Sequence, residues 1–78
     1  MSYFMTIDLH GMTCAQAKEE LECTLRSIPQ DTRELTVVHG YHGGTTLRDL
    51  VRSYRHPKIE RKMLSMNNGS TVFIIKKK

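Results

Sequence analysis

The first half of this chain holds a strand, a helix and a second strand in immediate succession, and that order constrains the fold more than any other feature. In YFMTIDLH (3–10), Met5, Ile7 and Leu9 alternate with Thr6, Asp8 and His10, the period of a strand with one face on a core. Gly11 breaks the run, and Thr13 followed by Gln16 fits a capping box that opens a helix. Ala17, Leu21, Leu25 and Ile28 then repeat at helical spacing until Pro29, and ELTVVH (34–39) forms a second apolar strand. A connection of this kind implies two parallel neighbouring strands joined by a right-handed crossover, with the helix on one face of the sheet.

The second half predicts a helix from about Thr45 to Tyr54, with Leu47, Leu50, Val51 and Tyr54 on one stripe, before His56 and Pro57 close it. ERKMLSM (60–66) and STVFIIKK (70–77) are β-rich and flank Asn67-Asn68-Gly69, residue types that tolerate the positive φ of a tight hairpin turn. The expected architecture is an α/β two-layer sandwich, βαβαββ, with a mixed four-stranded sheet and two helices on one face. Seventy-eight residues suffice for a single domain with one modest core, residues 1–78, in which the terminal Lys76, Lys77 and Lys78 are expected to fray.

Parallel neighbours end side by side, and open α/β sheets bind ligands just beyond the carboxyl ends of their strands. IDLHG (7–11) and VVHGYHGG (37–44) should therefore converge, with the start of the second helix pointing at them. Asp8 and His10 fall on one face as an acid beside a base, the pairing that proton transfer needs. Gly40, Gly43 and Gly44 let another molecule approach the backbone, and a helix N-terminus favours an anion, most often phosphate. Arg48, Arg52 and Arg55 fall within about 60° of one another on an ideal helix, so a phosphate chain could run along them.

Charge supports that reading. The net charge is +4, but residues 1–38 hold three Lys/Arg against six Asp/Glu, whereas residues 39–78 hold nine against two, as suits a domain with one face toward polyanions. The loop is no Walker A motif, since no lysine precedes Thr45 or Thr46, which argues against nucleoside triphosphate hydrolysis. No ligands have zinc-finger spacing, and Cys14 and Cys23, nine positions apart on one helix, sit on opposite faces and cannot pair. No apolar run approaches a membrane span, and MSYFMTIDLH lacks the features of a secretion signal, so a reducing cytoplasm is the expected setting and no membrane the expected partner.

At this combination the sequence resembles the Smr domain, the small MutS-related family, nearly from end to end. IDLHG matches the first motif of that family. VVHGYHGG leading into TLRDLVR resembles its second, a His-Gly turn with further glycines before a Leu-Arg helix, and HPKIER and NNGSTVFII resemble its closing strands. The loop departs from the common His-Gly-x-Gly form: His42 stands in the place of that glycine, and Gly43-Gly44 follow. The resemblance implies a domain that binds nucleic acid and in many members cuts it, nicking DNA or cleaving RNA, including messenger RNA on stalled ribosomes.

The expected function is thus phosphodiester cleavage by a monomer acting on DNA or RNA, with the ribosome as a candidate partner. The catalytic candidates are Asp8, His10 and His39. Gly40, His42, Gly43, Gly44, Thr45, Arg48 and Arg52 are the candidates for holding nucleic acid. On RNA the neighbouring 2′-hydroxyl can attack without a metal; on DNA water must attack, where Mg²⁺ would help, yet the single carboxylate of Asp8 is a thin site for a cation that prefers six oxygens. No cofactor is therefore expected. The alternative is a noncatalytic module that docks on nucleic acid or the ribosome through the same phosphate contacts, and a third reading is a protein-interaction domain that uses the open sheet face.

Overall fold

The structure, a computed structural model, describes residues 3–40, 46–64 and 69–76, with the side chain of residue 46 excepted. The elements run β1 (Phe4–Asp8), α1 (Cys14–Ser27), β2 (Glu34–Val38), α2 (Thr46–Ser53), β3 (Ile59–Leu64) and β4 (Ser70–Ile75), the expected βαβαββ order. They build one mixed sheet of order β1-β2-β4-β3. β1 and β2 pair in parallel from Phe4 opposite Glu34 to Asp8 opposite Val38, and β4 pairs antiparallel with both β2 and β3. The expected hairpin joins β3 to β4, although Asn67 and Asn68 of its turn lie outside the described residues.

Both helices lie on one face, where they touch each other and α2 touches β4. Leu9, Ala17, Leu21, Leu25, Leu35, Val37, Val51 and Phe73 are wholly buried between the layers. The period of two is visible in this: Leu35 and Val37 of β2 face the helices, while Glu34, Thr36 and Val38 face the other way and are only half-buried. On that open side Phe4 and Met63 remain exposed. Removing the core side chains from water is what offsets the ordering of so short a chain.

Local chemistry sets the helix ends. Thr13 accepts a hydrogen bond from the Gln16 amide at 3.1 Å, and the Gln16 side chain accepts one from the Thr13 amide at 3.1 Å, which completes the capping box. At the other ends two lysines reach back from the β3 region. Lys58 Nζ donates to Leu25 O at 2.6 Å, and Lys62 Nζ donates to Arg52 O at 2.7 Å and also to Tyr54 O. Each cation satisfies terminal carbonyls and sits at the negative end of a helix dipole. Cys14 and Cys23 are free and exposed. No helix among the described residues is long and apolar enough to cross a membrane.

The helix ends at Ser53, one residue earlier than expected and two residues short of Arg55, and the expected stripe of Arg48, Arg52 and Arg55 therefore does not form on one helix. Two contacts and one backbone preference account for the early stop. Ser53 Oγ turns back onto Asp49 O at 2.8 Å, Lys62 captures the carbonyls of Arg52 and Tyr54, and the backbone before Pro57 disfavours helix. Tyr54 is drawn inward instead, where its hydroxyl donates to Glu22 Oε1 at 2.6 Å and ties the end of α2 to α1. Burial and the Glu22 carboxylate together push the phenol pKa well above its ordinary value.

Tyr54→Phe should therefore lower stability by about 1.5 kcal/mol, since it leaves a half-buried carboxylate without its donor, and thermal melting should register this as a drop of several degrees. An unchanged melting temperature would mean that Glu22 finds an equally good partner in water.

Candidate functional site

β1 carries Asp8 at its C-terminal end, and two residues later the chain folds back so that Asp8 Oδ1 accepts twice from His10. The His10 amide donates to it at 3.0 Å, and His10 Nδ1 lies 2.6 Å away. Both hydrogen bonds favour the charged carboxylate and hold the Asp8 pKa below its ordinary value, the imidazole contact contributing most. An ionised carboxylate has no proton to give, so the proton in the short contact belongs to Nδ1. That fixes the tautomer and leaves Nε2 as the nitrogen free to meet a ligand. The site is open, with the side chains of His10 and Asp8 70% and 54% exposed.

The second segment arrives as the strand order requires. Leu9 N donates to Val38 O at 2.7 Å, which carries the β1–β2 pairing past Asp8, and one residue beyond His39 the backbone of Gly40 passes beside His10. Gly40 has φ +77°, and a Cβ built on it would stand 3.3 Å from His10 Cβ. The residue therefore has two reasons to be glycine, its left-handed backbone and the close approach of His10. Gly11, with φ +83°, makes the turn that follows His10.

His39 sits apart from the exposed pair, only 3% exposed. Its Nδ1 lies 2.9 Å from Gly40 O, which can only accept, so Nδ1 donates there; its Nε2 is 3.0 Å from the hydroxyl of wholly buried Thr71. The His39 and Gly40 amides both donate to Gly69 O, at 2.8 and 2.9 Å. The end of β2 is thus pinned to the start of β4. Thr71 and Gly69 are participants whose place beside His39 no sequence motif marks, because only the β2–β4 pairing brings them here.

Of the residues expected to hold nucleic acid, His42, Gly43, Gly44 and Thr45 lie outside the described residues. Arg48, in the first half of α2, is partly exposed; its Nε is 3.8 Å from Asp49 Oδ1 and has no hydrogen-bond acceptor among the described residues. Arg52 is exposed near the end of the same helix. No cluster of three or more His, Cys, Asp or Glu side chains able to hold a metal occurs among the described residues.

The Smr domain family model matches residues 7–71, which takes in Asp8, His10, the glycine loop, α2 and the start of β4. The chain belongs to the Smr domain family. Its structure is similar to the crystal structure of the Smr domain of Thermus thermophilus MutS2, with a TM-score of 0.81 and 25% sequence identity over 92% of this chain and 98% of that one. No curated protein matches. The fold is thus the Smr fold, and the family is one of nuclease and nucleic-acid-binding domains.

Two outcomes test the geometry of this Smr domain. His10→Ala should raise the Asp8 titration midpoint part of the way back toward 3.8, the remaining depression coming from the backbone amide, as read by carboxyl-carbon NMR. The sign is set by the pair: a carboxylate with a lowered pKa gives its stabilisation above the ordinary carboxylate value and loses it as pH falls through the lowered one. Gly40→Ala should lower stability by about 1 kcal/mol or more from backbone strain and should move the His10 resonances. Resonances that stay in place would place Gly40 outside the site.

Proposed function

We propose that this Smr domain is an endonuclease that cuts RNA by using the ribose 2′-hydroxyl beside the scissile phosphate as nucleophile. The observation that carries the proposal is the 2.6 Å contact between Asp8 and His10, which orients an exposed Nε2. In the proposed step the 2′-oxygen attacks phosphorus, its proton passes to His10 Nε2, and the bond from phosphorus to the 5′-oxygen breaks. The departing oxygen takes a proton from solvent. The products are a 2′,3′-cyclic phosphate and a 5′-hydroxyl, and His10 returns its proton to water. Asp8 steadies the imidazolium while it exists.

The remaining roles follow from position. Arg48 and the amides of residues 43–46 would neutralise charge that develops on the non-bridging oxygens, Gly40 would leave room for the backbone to pass, and His42 and Thr45 are assigned to hold the strand. Arg52 would hold the next stretch of the chain. His39 is assigned as a positioning residue, since both of its nitrogens are engaged in the interior. Asp8 is a poor anchor for Mg²⁺, because one of its oxygens already serves His10 and no second carboxylate stands with it among the described residues. No step is routed through a metal. Selectivity is assigned to this surface or to a platform such as the ribosome, with the domain acting as a monomer in the cytoplasm.

The deciding experiment incubates the protein with labelled RNA and DNA hairpins, in Mg²⁺ and in chelator, and identifies the product ends. Cyclic phosphate ends in chelator are expected. His10→Ala should bind as the parent does and cleave about 10²-fold more slowly, the usual scale for loss of a general base. Asp8→Asn should fall less, since Asp8 orients rather than transfers. A folded His10→Ala variant that cleaves at the parent rate would sink the assignment, and RNA binding without cleavage by the parent would favour a docking module.

A further inference from the structure

At the far end of α2 the surface opens into a second basic groove, lined by Arg52, the 53–57 turn and residues 59–62 of β3. Arg55, displaced from the helix, and Arg61 are both among its lining residues and are exposed, Arg61 standing at a β3 position on the face away from the helices. Neither has a carboxylate within ion-pair distance among the described residues, and Glu60 is the one acid in the lining. The register shifts between Ile59 and Arg61, so that Glu60 is an extra residue on this edge strand. A bulge of this kind bends the strand and re-aims its side chains.

Lys62 forms the floor. Its Nζ spends two of its three donors on the carbonyls of Arg52 and Tyr54 and lies 5.6 Å from the centre of the Phe73 ring, which makes it a fixed cation. Burial and the nearby Arg55 charge push its pKa down. The Arg55 charge beside this fixed ammonium adds a repulsion to the groove that a bound anion would relieve. His56, with its ring stacked on Tyr54, completes the wall.

We propose that this groove is a second phosphate-binding subsite, which grips the backbone of the same nucleic acid away from the bond that is cut. The inference rests on the reading of Asp8 and His10 as the site of cleavage and adds to it a minimum substrate length. β1 and β3 are the two edges of the sheet, three interstrand spacings apart, or roughly 14 Å at about 4.8 Å each, and the groove lies at the start of β3, at the opposite end of the strands from Asp8. The two places are thus separated by more than about four steps of a stacked strand at 3.4 Å per nucleotide. One phosphate cannot serve both places, so the ligand is an extended strand, with Arg52 at the groove end of α2 and Arg48 in the first half of that helix.

The test measures binding of a labelled trinucleotide and a labelled dodecanucleotide of RNA across a salt series, for the parent, for R55A/R61A and for the charge-keeping R55K/R61K. The parent should gain affinity with length. R55A/R61A should lose about tenfold or more on the dodecanucleotide at low salt, and its salt slope should fall by about two; R55K/R61K should recover most of that slope. Both arginines are exposed, so melting temperatures should stay at the parent value, and this keeps the comparison free of folding effects. Dodecanucleotide affinity and salt slope equal to the parent's in R55A/R61A would overturn the groove while leaving the His10 assignment intact. Parent-rate cleavage by His10→Ala together with a reduced slope in R55A/R61A would overturn the assignment of the cleavage site and keep the groove as a binding surface. A parent protein that binds neither oligonucleotide would overturn both.

Discussion

Everything at the upper edge of this sheet depends on how the end of β2 is fastened to the start of β4. Gly69 O takes two amide hydrogen bonds, from His39 and Gly40, and the buried His39 ring bridges Gly40 O and the Thr71 hydroxyl. A buried imidazole with either nitrogen unpaired would be costly, so the bridge has one low-energy arrangement. That arrangement holds Gly40 in a left-handed conformation against His10. The exposed Asp8–His10 pair is therefore backed by an interior polar clamp that touches no ligand, which is how a small domain can keep an open site in a defined geometry.

Electrostatics divides the molecule by layer and by edge. Three of the six acids of the first half lie on α1, where Glu19 and Glu20 meet solvent, while β3 and the turn before it supply cations. Two of these cations, Lys58 and Lys62, are consumed by helix C-termini. Arg48, Arg52, Arg55 and Arg61 are not, and they run from the beginning of α2 to the far edge of the sheet. Cations spread in this way would meet a chain of phosphates by charge and spacing more than by base identity.

Much of this was legible in short patterns. The period of two in Met5, Ile7 and Leu9, the Thr13–Gln16 capping box and the Ala17, Leu21, Leu25 spacing each describe a local decision, taken within one turn or one strand, and each appears as read. The neighbourhood of Asp8 and His10 was legible too, since two positions apart they stay close whether the strand continues or, as here, ends at Asp8 and turns back so that the His10 amide reaches the Asp8 carboxylate. Arg55 was not. Its departure from the helix depends on Lys62, which reaches over from β3, and on Glu22, which receives Tyr54 from α1.

The sequence by itself determined the elements, the parallel pairing of the first two strands and the meeting of IDLHG with the end of β2 at Gly40, because hydrophobic period, capping and crossover handedness act over short separations. Tertiary structure alone decided that β4 lies in the middle of the sheet, that His39 turns inward to Thr71, and that Arg55, Arg61 and Lys62 share one groove. Each of these depends on a contact between segments distant along the chain, or on the order in which strands fill the sheet. Such contacts are selected by the packing of the whole core, and no local pattern encodes them.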